Sequence, residues 1–135
     1  QGDLLPLPEP SQVVKGSFRP NNYKIVLFVG PASPCALKSV ELYRIVQQAH
    51  KQLQIILVFT SPKPVVQQAA VQYAGEQLVY VSDSDKHYAS RLNAFYYPRL
   101  YLLDRQGRLL YVQHYRTSSR KALVEAVDQL SKEVR

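Results

Sequence analysis

The sequence predicts an α/β fold, a central mixed β-sheet with helices on both faces that ends in a β-hairpin and a C-terminal helix. Three observations lead there. Tyr23 to Gly30 (YKIVLFVG) and Gln54 to Thr60 (QIILVFT) are nearly continuous apolar runs rich in β-formers, the pattern of strands buried on both faces. Each run is followed by a segment of helical character. Near the end, two apolar segments flank Arg105-Gln106-Gly107, a tight turn with Gly where a positive φ is expected, which makes an antiparallel hairpin.

Residues 1 to 11 hold Pro6, Pro8 and Pro10 with Gly2, an extended lead-in that neither pairs regularly nor coils. One domain is expected over 12–135. Gln12 to Phe18 reads as a short edge strand, and Arg19 to Asn22 as turn chemistry before the first buried strand. Gly30, Pro31 and Pro34 break that strand. From Pro34 to Leu53, Leu37, Val40, Leu42, Tyr43, Val46 and Ala49 recur at helical spacing with Glu41, Arg44, Gln47 and Gln48 opposite, predicting one amphipathic helix. After the second buried strand, Ser61-Pro62 caps a helix over Lys63 to Ala74 that ends at Gly75. Leu78 to Val81 is a third strand. Ser82, Asp83 or Ser84 opens a helix running to Phe95, with Tyr88, Leu92 and Phe95 at one-turn spacing, and Tyr97-Pro98 stops it. Arg99 to Asp104 and Arg108 to Tyr115 form the hairpin, and Thr117 or Ser118 caps a last helix through Val134, with Leu123, Val124, Val127 and Leu130 as its buried stripe.

At 135 residues the chain is long enough to bury a core without disulfides or a structural metal. Its one cysteine excludes an intramolecular disulfide, a Cys-rich zinc cluster and self-contained Cys-x-x-Cys chemistry. No apolar stretch approaches the roughly 18 to 20 residues that cross a bilayer. The chain starts at Gln1 and holds no methionine, so a removed upstream segment is expected, and with it export to the periplasm or another extracytoplasmic space. The net charge of +7 is concentrated: Lys86 to Lys121 holds eight basic residues against Asp104 alone, with six of the ten tyrosines interleaved. Such a segment can serve an anionic partner, but aromatics alternating with arginine along a strand fit one buried and one solvated face better than nucleic-acid binding. His50, His87 and His114 have no metal-like spacing with one another or with Cys35, and no Walker-type or dinucleotide glycine pattern occurs, so neither metal nor cofactor is expected.

Two segments carry a resemblance. LFVGPASPCALKSVELY (Leu27 to Tyr43) looks like a redoxin's strand, active-site loop and following helix, and FYYPRLYLLDRQGRLLY (Phe95 to Tyr111) is similar to the cis-proline segment of the same group. From about residue 13 to its end the chain resembles the thioredoxin-like superfamily, and within it the extracytoplasmic TlpA-type and AhpC/TSA-type redoxins. The resemblance implies thiol–disulfide oxidoreductase or antioxidant chemistry by a Cys-x-x-Cys pair at the N-terminus of the first helix, where unpaired N–H groups and the helix dipole favour a thiolate.

Two registers place this chain on that motif. One puts Ser33-Pro34-Cys35-Ala36 over it, replacing both redox cysteines. The other puts Ala32-Ser33-Pro34-Cys35 there, keeping only the resolving thiol. Helix phasing favours the first, which buries Val40, Leu42, Tyr43 and Val46, whereas the second buries Ser39 and Glu41. The peroxiredoxin pattern fails too, since Phe28 and Ala32 stand where its Pro and Thr/Ser would precede Cys35. Dithiol exchange needs one thiolate to attack and a second thiol to resolve. The expectation is therefore a degenerate member, noncatalytic or weakly redox-active, that binds a protein or extended peptide. Its groove would be formed by Pro31, Ala32, Ser33, Pro34, Cys35 and Ala36 with Tyr97 and Pro98, the last resembling the cis-proline that leaves the preceding backbone free to pair. Two alternatives stand beside it: Cys35 as a one-cysteine peroxidase or thiol transferase resolved by an external thiol, and a basic module for an anionic partner.

Overall fold

The computed structural model describes residues 2–72, 78–94, 97–113 and 118–134. Six strands, β1 (Val13–Lys15), β2 (Tyr23–Gly30), β3 (Leu53–Phe59), β4 (Val79–Ser82), β5 (Arg99–Leu103) and β6 (Leu109–Val112), form one sheet in the order β1-β4-β3-β2-β5-β6. β2, β3 and β4 are mutually parallel, and β1, β5 and β6 join antiparallel. The helices are α1 (Pro34–Leu37), α2 (Val40–Ala49), α3 (Lys63–Gln72), α4 (His87–Arg91) and α5 (Ser119–Glu133), with a 3-10 turn at Pro10–Gln12.

The continuous apolar runs of β2 and β3 follow from their central place, because both faces of the sheet are covered. Ile25, Leu27, Ile55 and Leu57 meet α2, α3 and α5, among whose buried residues are Val40, Tyr43, Val66, Ala122, Leu123 and Leu130. Val26, Phe28, Ile56 and Val58 meet Tyr88, Ala89 and Leu92 from the α4 region. Phe28 packs against Tyr88 at 5.4 Å and edge-on to Tyr101 at 5.8 Å between ring centres, geometries that add about 0.5–1.5 kcal/mol each beyond burial. The second face is finished by the lead-in, whose Leu5 and Leu7 pack on it together with Phe18. Leu5 N donates to Gly107 O, Leu109 N to Asp3 O and the Tyr88 hydroxyl to Pro6 O, so these proline-spaced residues supply backbone partners without forming a regular strand.

Several boundaries differ from the sequence expectation. The helix expected over Pro34 to Leu53 is two helices: Ser39 N turns back to Ala36 O and opens a break at Lys38 and Ser39. α2 ends at Ala49 because Leu53 already belongs to β3, where it is fully buried. The edge strand shrinks to Val13–Lys15, since Gln12 closes the 3-10 turn. The helix expected from Ser82–Ser84 to Phe95 is only His87–Arg91. The Asp83 carboxylate takes the N–H groups of Tyr88 and Ala89, and Asn93, at φ 56°, follows its end. Phe95, the end of the second expected helix (Tyr73, Ala74, Gly75), and His114, Tyr115 and Thr117 lie outside the described residues. Gly107 has φ 87°, and Asp104 holds the turn by accepting from Gln106 N and Arg108 N. Ser118 caps α5, its hydroxyl accepting from Lys121 N at 3.2 Å.

Candidate functional site

The parallel strands β2, β3 and β4 all end at the same rim of the sheet. β2 has a parallel neighbour on one side and an antiparallel one on the other, the helix after it covers the first face, and α4, before β5, covers the second. At this rim the chain leaves β2 toward the first face and enters β5 from the second. The segment that leaves β2 there is Pro31–Ala36.

The loop is built by its own residues. Ser33 N donates to Pro31 O at 2.8 Å, and Ser33, in extended conformation, caps α1 by accepting from Ala36 N at 3.2 Å, with Pro34 in the first helical turn. Ala32 N donates to the Ser61 hydroxyl at 3.0 Å, and Ser61 O accepts from the Ser82 hydroxyl at 2.7 Å. Two serines therefore tie together the segments that follow β2 and β3 and the end of β4. Ser61, expected to cap the third helix, spends its hydroxyl on this tie. Pro31, Pro34 and Cys35 are exposed, while Ala32, Ser33 and Ala36 are half-buried. Cys35 is a free thiol.

Tyr97 reaches the same place by strand pairing. β2 and β5 are antiparallel with Phe28 opposite Arg99, and two residues further on the same register brings Tyr97 to Gly30. A Cβ placed on Gly30 would lie 3.4 Å from Tyr97 Cβ and 3.5 Å from its ring. Gly30 also has φ 79°, which favours glycine on conformational grounds. The Tyr97–Pro98 peptide bond is cis, Tyr97 is half-buried and Pro98 exposed. Burial, and second the charge of Asp83, push the Tyr97 phenol above its ordinary range. Asp83 is itself wholly buried and accepts from Gln12 Nε2, Tyr88 N and Ala89 N at 2.8 to 2.9 Å. Sequence reasoning missed Gly30, Ser61, Ser82 and Asp83 as site-forming residues. Gly30 and Ser61 were visible only as a strand breaker and a helix cap.

The basic residues between 86 and 121 are partly used inside the fold. Arg99 donates to Gln113 O and lies over the Tyr101 ring, Arg105 lies over the Tyr23 ring, and Arg108 reaches Gly2 O. His87 stands 3.9 Å from Glu9. Among the described residues no three His, Cys, Asp or Glu side chains are placed to hold a metal ion, and no helix is long and apolar enough to cross a membrane.

Solved structures share this fold. A thioredoxin-like protein in its oxidised form superposes with a TM-score of 0.76 at 13% identity, over 97% of this chain and 96% of that one. A mutant of Xanthomonas campestris peroxiredoxin Q gives 0.69 at 12% identity, over 85% and 81%. A secreted Mycobacterium tuberculosis disulfide oxidoreductase homologous to E. coli DsbE gives 0.62 at 16% identity, over 80% and 81%. The chain has a thioredoxin-like fold. No protein-family model matches the sequence, and no curated protein does. In the frame of the thioredoxin-like fold, the rim holding Pro31–Ala36 and Tyr97–Pro98 is the candidate site, and this chain brings one thiol to it.

Proposed function

We propose that this thioredoxin-like domain is a noncatalytic or weakly redox-active member that binds an extended peptide or a protein segment in the groove between Pro31–Ala36 and Tyr97–Pro98. The observation that carries the reading is the cysteine count. With Cys35 as the sole thiol, an attack on a disulfide leaves a mixed disulfide that nothing in the chain can resolve. What the site does offer is backbone held in place. Ser61 and Ser82 fix the loops, Gly30 admits Tyr97, and Tyr97 supplies rigid amphipathic contact area beside a strand end where a peptide can pair. Export to an extracytoplasmic space belongs to the same reading, supported by the secreted disulfide oxidoreductase among the structural neighbours.

The exposure of Cys35 favours a second reading, in which it acts as a one-cysteine peroxidase or thiol transferase with an external thiol completing the cycle. One experiment separates the two. Peptides selected from a displayed library of extended sequences are titrated into wild type and Cys35→Ser, while peroxide consumption with an added small thiol is followed in parallel. The binding reading expects the amide resonances of Ala32, Ser33, Cys35, Ala36, Tyr97 and Arg99 to shift equally in both proteins, with no sustained peroxide consumption. Sustained consumption that Cys35→Ser abolishes, or a selection that yields no binder at this rim, overturns it.

A further inference from the structure

α2 and α5 lie side by side on the first face of the sheet and leave an apolar groove between them. Leu42 and Val46 line it with Leu123, Val124 and Val127 over about 370 Å³, edged by His50, Arg120 and Asp128. Past His50 it continues for about 240 Å³ between Ala49 and Leu130 to Val134. Ile45 on α2 and Val124 on α5 are 51% and 55% exposed, and Val134, just past the end of α5, is 41% exposed. An apolar groove rimmed by polar residues is a candidate interaction surface.

The charges on that surface say what fits it. Arg120, Val124 and Asp128 fall four residues apart on α5 and form one exposed stripe. Neither Arg120 nor Asp128 has a side-chain partner among the described residues. The stripe is its own complement when reversed. An antiparallel α5 from a second copy, related by a two-fold axis through Val124, sets Arg120 of each copy against Asp128 of the other and Val124 against itself. Every such contact occurs twice in a closed two-fold pair. We propose that the α2–α5 face is the docking surface for a second copy of this chain, forming an isologous homodimer. The net charge of +7 opposes association at long range, but at about 0.15 M salt the Debye length is only about 8 Å, so the contacting pairs and the apolar strip decide. None of the groove residues belongs to Pro31–Ala36 or Tyr97–Pro98, so the dimer carries two candidate peptide sites.

Sedimentation equilibrium of the full chain, at about 0.15 M salt and from about 1 µM to about 1 mM protein, tests this. The wild type is expected to show a concentration-dependent dimer that Val124→Asp weakens at least about tenfold. Arg120→Asp and Asp128→Arg should each weaken it, and the double reversal should restore it, because the swapped stripe is again self-complementary. These side chains are exposed, so the variants keep the wild-type circular dichroism. In a Cys35→Ser background, Val124→Cys should form an interchain disulfide under mild oxidation, since position 124 meets itself on the axis. A wild type that stays monomeric throughout, a dimer indifferent to Val124→Asp, or a double reversal no tighter than the single variants overturns the proposal.

Discussion

Replacing Asp83 tests the support beneath the candidate site. Its carboxylate is wholly buried, with Oδ1 accepting from Tyr88 N at 2.9 Å and Gln12 Nε2 at 2.8 Å, and Oδ2 accepting from Ala89 N at 2.9 Å. Asp83→Ala removes every one of these acceptors. Gln12 is half-buried and can turn to water, but Tyr88 and Ala89 are buried at the start of α4 and their amides cannot. A buried donor left unpaired costs about 1–3 kcal/mol, so two cost roughly 2–6. Releasing a carboxylate from the interior returns part of that, for an expected net loss of about 3 kcal/mol. Asp83→Asn fits the same space and keeps one acceptor oxygen, so it should lose only about 1–2 kcal/mol. With a urea slope of about 1–3 kcal/mol per molar, the Ala midpoint should fall by roughly 1–3 M. Amide exchange at Tyr88 and Ala89 should speed up before global unfolding does. An Ala variant within about 1 kcal/mol of wild type, or an Asn variant as costly as Ala, would refute the assignment of Asp83 as the acceptor that starts α4.

Gly30→Ala places a Cβ at φ 79°, a conformation that costs an L-residue about 1–2 kcal/mol. The melting temperature should drop by several degrees, and an unchanged one would show that the turn relaxes freely. Burial pushes the Tyr80 phenol up from 10 to about 12. The unfolded chain therefore releases that proton first, and the stability held below about pH 10 is lost as pH rises toward about 12. Tyr80→Phe should flatten this decline in urea midpoints taken across the window, and parallel curves for the two proteins would count against it. Lys24 is the opposite case. Its ammonium is buried against Arg19 O and Asn22 O, and desolvation lowers its pKa from 10.5. That group contributes stability above pH 10.5 which is lost as pH falls through its folded value. In the Tyr80→Phe background, Lys24→Met should remove this rising contribution and leave a steeper net decline with pH, and an unaltered slope would mean the ammonium is solvated.

Those residues also show what a sequence can disclose. β2 and β3 were legible because a strand covered on both faces must be apolar along its whole length. α2 and α5 were legible as helices because each buries one stripe, but the stripes differ from expectation: Val124 is exposed while Ala122 and Ala126 are buried, and Gln47, expected on the polar face, is buried with its Oε1 accepting from Ile55 N. The break at Lys38 and Ser39 was not, since nothing in Ala-Leu-Lys-Ser-Val forbids a helix. Ser82, Asp83 and Ser84 are all capping types, and burial under the sheet's second face selects Asp83, which local chemistry does not reveal. Ser61 before Pro62 looks like a helix cap, but its hydroxyl serves Ala32 N, 29 residues away. Cys35 and Pro98 stood out as residue types. The apposition of Gly30 and Tyr97 did not, because 67 positions separate them and only the β2–β5 register joins them.

That register bears on the choice between a binder and a catalyst. A dithiol cycle places its demands on two sulfurs, one to attack and one to resolve, and this chain has one. A peptide groove places its demands on backbone, which must be ordered before the ligand arrives if binding is not to forfeit the entropy of ordering it. The hydrogen bonds at this rim serve the second demand. Ala32 N to Ser61, Ser82 to Ser61 O and Thr60 N to Gly30 O all fix the main chain between strands, and none involves Cys35. If binding is the function, Ser61→Ala should weaken peptide affinity while leaving Cys35 alkylation unchanged, because it frees the Ala32 amide without touching the thiol. If Cys35 chemistry is the function, the ordering should reverse, with Cys35→Ser decisive and Ser61→Ala nearly silent.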